Sequence, residues 1–583
     1  MSATEFEPEA NKDEQLSAMP SSLATRMHQL NPVLNEQELK RLQRFGTVRT
    51  YARGVRILEA GHTCFGMIVT LKGMINISRY DGLGNSSHMT EHGPGEFTAE
   101  VSQLSGRPSL VNAFAKTEVE ALVIAPENLR ALVIAEAELG ERIVRALILR
   151  RVGLLESEGG GLLLVSPPGN GALFHLRAFL NSNAHPHRVL DPAVDEQARA
   201  LADYYQPTAD DWPLVVCPDG AVKKNPSDAE IGRCLGMLPE LDSEKVWDVI
   251  VVGAGPAGLA TSVYAGSEGL SVLALEQRAY GGQAAASARI ENYLGFPTGI
   301  SGGALAGRAY VQAEKFGVEI CIPAPAARLI CDTYPLQVEM AEGKRVKGRT
   351  VVLSCGARYR RPPLANIKQF EGKGIYYWAS PIEARLCASE EVVLVGGGNS
   401  AGQAAVFLSG FARKVHMVIR GEGLKATMST YLIERIRSTR NIELHTHTEV
   451  VALEGDEEGL KQVLFRNNQT GVEENCDVCR VFLFIGADPN TGWLEDCGVD
   501  VDQQGFIRTG FDVAKAQCRA NFENGVYPKD MPVRAALETS VPGVFAIGDV
   551  RAGSTKRVAA GVGEGAAVVS QIHSFLANLP RTA

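Results

Sequence analysis

The sequence predicts a multidomain chain: a small β-roll with helices, a short α/β unit, and a long doubly wound α/β region. Three observations carry this expectation. The chain has 583 residues, several times the roughly 150 of one folding unit. Short β-type runs punctuated by glycine fill the first quarter, whereas strand and helix patterns alternate after Val246. Two glycine-rich turns recur in that later region, each between a strand pattern and a helix pattern, which is the grammar of a parallel sheet with helical crossovers.

Composition narrows the function classes. Residues are 45% hydrophobic and 21% charged, an ordinary globular balance, and no stretch supplies the ~18 apolar residues of a membrane span. A net charge of -9 argues against attraction to nucleic acid phosphates. Eleven cysteines are scattered from Cys64 to Cys518, an odd count, and Met1 to Gln15 is acidic with no apolar core. A cytoplasmic, reduced setting without a secretion signal is therefore expected. No metal site is expected.

Residues 1–24 are polar and lack a hydrophobic period, so they read as a flexible tail. Within 25–158, Val55 to Leu58 and Met67 to Ile77 alternate as strands, with Gly61, Gly66, Gly73, Gly82 and Gly93 between runs, as in a β-roll. One helical segment is predicted from Pro126 to Arg151, its apolar face set by Leu139, Ile143 and Leu147. Gly159 to Gly161 reads as a hinge. The unit over 162–241 opens with the strand Leu162 to Val165, continues through a helix from Leu173 to about Asn181, and has Trp212-Pro213 before a second strand, Leu214 to Cys217.

The later region holds the chemistry. Val249 to Val252 is a buried-type strand, Gly253-Ala-Gly255-Pro-Ala-Gly258 a turn, and Leu259 to Gly266 a helix. Gly253 permits the tight turn, Gly255 lets backbone approach a pyrophosphate, and Gly258 lets helix and strand pack closely. The helix N-terminus offers amide donors to phosphate. Glu276 ends the next strand, where a carboxylate accepts ribose hydroxyls. A second unit repeats the design: Val392 to Val395, then Gly396-Gly-Gly398-Asn399-Ser400, a helix, and a strand ending at Ile419-Arg420. An arginine there suits a 2'-phosphate, which favours NADPH over NADH. Two such sites in one chain suit a hydride donor and a flavin acceptor.

Gly281-Gly-Gln283, Ile290 to Pro297, Gly396 to Ser400 and Pro542 to Val550 resemble the bacterial low-molecular-weight thioredoxin reductases over 246–583. The resemblance implies three-layer ββα folds: an FAD-binding domain over 246–362 plus 489–583, and an inserted NADPH-binding domain over 363–488. It also implies FAD held by Gly253, Gly255, Gly258, Glu276, Gln283, Asn292, Asp549, Arg557 and Val558. NADPH would be held by Gly396, Gly398, Asn399, Ser400, Arg420 and Lys425, and the chain is expected to be a homodimer. That family carries a Cys-x-x-Cys before the second glycine turn. Here Trp378 and Pro381 stand at those two places, and neither side chain exchanges disulfides. Cys476-Asp-Val-Cys479 lies elsewhere and reads as structural.

Two further resemblances are weaker in motif. The 162–241 unit is similar to a thioredoxin or glutaredoxin domain whose dithiol place, Gly169 to Ala172, has no cysteine. Residues 30–155 resemble a cyclic nucleotide-binding domain, with Glu96 and Arg107 as the candidates for ribose and cyclic phosphate. A partner-docking role for this roll is the alternative. The functional expectation is an NADPH-dependent flavoenzyme that passes electrons to a small-molecule or protein acceptor other than its own dithiol. The alternatives are a flavin- or nucleotide-binding redox sensor, and thiol reduction through an external or different cysteine pair.

Overall fold

A computed structural model describes residues 26–63, 65–80, 86–99, 101–156, 161–287, 289–379, 381–456, 458–514 and 534–579. The expected tail over 1–24, Cys64, Cys518 and most of the expected hinge at Gly159 to Gly161 lie outside them. Among the described residues no helix is long and apolar enough to cross a membrane.

The N-terminal unit is two antiparallel four-stranded sheets. One runs in the order Thr47–Tyr51, Val119–Ile124, Met67–Lys72, Phe97–Thr98, and the other Arg56–Leu58, Asn112–Ala115, Ile75–Tyr80, Ser86–His92. Phe97, Leu122 and Ile124 seal it against the following helices. Those helices are two, Pro126–Ala135 and Ala137–Glu156, not the single segment the apolar spacing predicts. Glu136 breaks the run at φ -113 and ψ 81, where its carboxylate receives Arg41 and Arg44 together. A tertiary ion-pair site thus overrides a helical period.

The middle unit has the sheet order His187–Leu190, Leu162–Val165, Leu214–Val216, Val222–Lys224. The first pair is parallel and the others antiparallel. The Trp212–Pro213 peptide is cis. Treating the cysteines as a wholly reduced set misses one pairing: Cys217, at the end of a central strand, is disulfide-bonded to Cys234. The core of this unit does not stop at its boundary, because Leu164, Phe179, Val215 and Ile231 share one apolar cluster with Val249, Val251 and Leu259.

The next sheet carries the first glycine turn, in the order Glu319–Cys321, Val272–Leu275, Val246–Val252, Arg345–Leu353, Leu336–Met340, Ala326–Ile330. The long strand Arg345–Leu353 pairs antiparallel with Leu336–Met340 near its start. Further along it pairs parallel with Val246–Val252 and Val544–Ala546. The helix Val558–Ala577 packs back on Pro256–Ser267, where Gly565 lies against the backbone of Ala257.

A two-stranded ribbon, Ala357–Tyr359 with Ala487–Pro489, marks where the chain leaves this sheet and returns. Between those strands lies a parallel five-stranded sheet in the order Ile375–Tyr376, Val481–Leu483, Glu391–Val395, Lys414–Val418, Ile442–His445. A three-stranded antiparallel sheet, Thr448–Gly455, Leu460–Asn467 and Glu473–Cys476, packs on it through Phe465, Val463 and Val393.

Candidate functional site

Both glycine turns open toward one cleft of about 610 Å³. The first turn is built by close approach. Gly253 has φ +104, a left-handed conformation that side chains resist. The Ser354 hydroxyl donates to its carbonyl at 2.7 Å. A Cβ at Gly258 would collide with the Gly253 carbonyl, whereas one at Gly255 would meet no protein atom within 4 Å. Gly258 therefore serves helix packing, and Gly255 faces open space at the N-terminus of helix Pro256–Ser267.

Glu276 closes one end of the cleft. Its carboxylate accepts from the Ala254 amide at 2.7 Å and the Arg278 amide at 3.1 Å. Burial raises its pKa against the pull of these donors. Across the cleft the Gly548 amide donates to Glu564 at 2.6 Å, and Arg551 pairs with the same carboxylate at 2.5 Å. These contacts anchor the turn that presents Asp549, whose pKa burial also raises. Gln283 donates to the Ala357 carbonyl.

Of the nine residues assigned to the flavin by resemblance, Gly253, Gly255, Glu276, Gln283, Asn292, Asp549, Arg557 and Val558 line this cleft. Gly258 lies behind the turn. From the second set, Asn399 and Ser400 reach the same cleft. Gly396 sits behind the second turn at φ +144, where a Cβ would meet Phe484, while Gly398 is open. The side chains of Arg420 and Lys425 are exposed and lie away from the cleft wall. Arg435, on the helix Thr430–Ser438, meets Glu291 at 2.9 Å and ties the two units across the opening.

Trp378 also lines the cleft; it is 38% exposed, and its indole nitrogen donates to Glu383 at 3.1 Å. Pro381 begins the next short helix. Cys355 is the one cysteine lining the cleft among the described residues. Burial pushes its thiol up to about 12, and its Sγ donates to the Asn490 carbonyl at 3.2 Å, so it is a protonated single thiol. Cys476 and Cys479 are free thiols outside this lining.

Sequence reasoning missed Lys556, whose ammonium donates to the Asp549 carbonyl and to Ser554 Oγ at 2.8 Å. Burial lowers its pKa. Its position one residue before Arg557 was the available signal. Cys355 and Arg435 were missed as well, since each reaches the cleft from a different element.

The two N-terminal candidates sit in different settings. Glu96 lies in the turn before Phe97–Thr98, and its carboxylate accepts the Gly93 amide at 2.7 Å. Arg107 leaves the roll altogether. Its guanidinium lies 3.4 Å from Glu314 and 5.4 Å from the Tyr310 ring centroid, with its side chain 11% and that of Glu314 1% exposed. Burial opposes its charge, but Tyr310 and Glu314 outweigh that cost and raise its pKa. Tyr310 stacks on Tyr280 at 4.4 Å between centroids, directly before Gly281, Gly282 and Gln283. Arg107 is a strut between units because a buried guanidinium needs a carboxylate, and the facing helix Gly302–Lys315 supplies one.

Comparisons with known proteins agree with this layout. The family model described as "Pyridine nucleotide-disulphide oxidoreductase" matches residues 247–565, and "Cyclic nucleotide-binding domain" matches 48–136. Thioredoxin reductase of Bacillus subtilis (strain 168) is 29% identical over 342 residues, which is 59% of this chain and 98% of that one. Thioredoxin reductase of Mycolicibacterium smegmatis is 30% identical over 335 residues, 58% of this chain and 98% of that one. The crystal structure of T. acidophilum thioredoxin reductase superposes with a TM-score of 0.51 at 27% identity, covering 57% of this chain and 100% of that chain.

Proposed function

Because the chain belongs to the pyridine nucleotide-disulphide oxidoreductase family, we propose that it moves hydride from NADPH to FAD and delivers the electrons to an acceptor other than a dithiol of its own. One observation carries the reading: both glycine turns open on one cleft, and Trp378 lines that cleft where the resemblance calls for a thiol. Bound FAD supplies a ring that takes hydride from nicotinamide and releases electrons onward.

The residues present fit that group. Gly255 leaves room for a pyrophosphate at a helix N-terminus, whose free amides and dipole favour phosphate. Glu276, Gln283, Asn292, Asp549, Arg557 and Val558 line the cleft, which supports Glu276 as acceptor of ribose hydroxyls and the others as holders of the remainder of the cofactor. Asn399 and Ser400 present the second helix N-terminus to the same space, so a nicotinamide can be brought against the flavin without crossing solvent. Arg420 and Lys425, exposed beside the second turn, suit a 2'-phosphate. Trp378 offers an aromatic cover that limits water and oxygen. A flavin-loaded sensor is the second reading, favoured by the buried contact of Arg107 with Tyr310 and the stack of Tyr310 on Tyr280 beside the cleft.

Steady-state oxidation of NADPH by the full chain with ferricyanide, a quinone or thioredoxin disulfide tests the reading. Turnover is expected with one of the first two, and background only with thioredoxin. Arg420→Ala should cut the preference for NADPH over NADH by about 10-fold to 100-fold, the worth of one charge-assisted contact. NADPH reduction without turnover on any acceptor would favour the sensor. Robust thioredoxin turnover would restore Cys476 and Cys479 as candidates.

A further inference from the structure

Away from the cleft, three side chains on one face of the parallel five-stranded sheet come together. Strands Lys414–Val418 and Ile442–His445 run parallel with His416 opposite Glu443 and Val418 opposite His445. Residues two apart on a strand share a face, so His416, Glu443 and His445 project together. His416 Nδ1 lies 3.0 Å from His445 Nε2, and His445 Nε2 lies 3.6 Å from Glu443 Oε1. One ligand atom from each of the three falls within 4.8 Å of the others. A tetrahedral zinc ion with bonds of ~2.0–2.1 Å holds its ligand atoms about 3.3 Å apart.

The surroundings complete the arrangement. Glu391, on the neighbouring strand, lies 2.9 Å from His416 Nε2. A carboxylate there takes the ring N–H and leaves the Nδ1 lone pair for a metal, the outer-shell arrangement that orients a ligating histidine. Glu443 uses its other oxygen to meet Lys414 at 2.5 Å, which fixes Oε1 toward His445. His416 is 6% exposed, and the Phe465 ring packs against both imidazoles, so the group is shielded on its inner side and open at Glu443.

We propose that His416, His445 and Glu443 bind one zinc ion, oriented by Glu391, with a fourth position open to water. With the His416 Nε2–H given to Glu391, the metal-free contact between the rings is a His445 Nε2–H donated to His416 Nδ1. Binding moves that proton to the other nitrogen of His445 and replaces the N–H···N bond with two nitrogen–metal bonds. The Ile419 amide donates to the His445 carbonyl at 2.9 Å, so the ion braces the strand ends leading to Arg420. The site is independent of the flavin reading, since no cleft residue takes part.

The test is titration of chelator-treated full-length protein with zinc chloride against a chromophoric competitor, followed by zinc-edge X-ray absorption. One ion per chain with only nitrogen and oxygen neighbours is expected. His445→Gln and Glu443→Gln should each weaken it at least about 10-fold, and Glu391→Gln about 10-fold, in line with outer-shell losses. Glu443 is exposed, so its variant should keep the parent's circular dichroism. Absence of binding, affinity unchanged in both ligand variants, or a sulfur-containing shell, which would point to the nearby thiol of Cys476, would each overturn the assignment.

Discussion

The flavin-type cleft and the N-terminal roll both carry residues that a family pattern marks as ligands, yet the structure surrounds them differently. At the cleft, eight of nine marked residues face one cavity. In the roll, one Glu96 oxygen accepts an amide of its own turn, and Arg107 faces Glu314 of another unit. The difference lies in what faces each motif. Gly255 faces open space, whereas Arg107 faces a buried carboxylate. Open space beside a motif, more than the pairing of its individual groups, is what separates the two regions.

The sharpest way to break this contrast is at the cleft. Gly255→Val should abolish flavin retention while the chain still folds, since φ -70 suits any residue and the new atoms enter empty space. Gly258→Val should damage the fold itself, because its Cβ meets the Gly253 carbonyl. Flavin absorbance per protein after desalting, with circular dichroism on flavin-free samples, separates the two. Full flavin retention by Gly255→Val would remove the phosphate role of the turn.

Next in size is the strut. Arg107→Ala removes one partner of the buried Glu314 carboxylate, at an expected cost of roughly 3–5 kcal/mol, read as an earlier first transition in urea. Arg107→Met combined with Glu314→Leu should recover part of it, because the second substitution removes the carboxylate that Arg107 faces. If Arg107→Ala instead left stability intact but erased a thermal shift produced by cyclic AMP, Arg107 would be a ligand and the contrast would collapse.

The smallest effect belongs to His92, 3% exposed at the end of strand Ser86–His92. Burial first, and the Arg150 charge second, lower its pKa from 6.5 to about 3. Between those values the unfolded chain binds the proton and the folded one does not. Stability supplied by neutral His92 is therefore present above 6.5 and lost as pH falls toward 3, amounting to roughly 2 kcal/mol at pH 5. His92→Phe should flatten the decline between pH 7 and pH 5 in the transition assigned to the roll. An equal decline in both proteins would place the proton uptake elsewhere.

Residue spacing marks the two strand-turn-helix units, while most of the cleft residues and the places held by Trp378 and Pro381 are legible only through the family resemblance. The units are local facts: a tight turn at Gly253 and close packing at Gly258 are consequences of residues a few positions apart, so spacing alone carries them. The tertiary structure decided the rest. The helix break at Glu136, the Cys217–Cys234 bond and the burial of Arg107 each depend on partners brought from another element. His416 and His445 meet only because two parallel strands take one register, and a slip of one residue would turn the second histidine to the other face. Pair energies of this kind arise from geometry between distant segments, and no window of the sequence contains both halves of the contact.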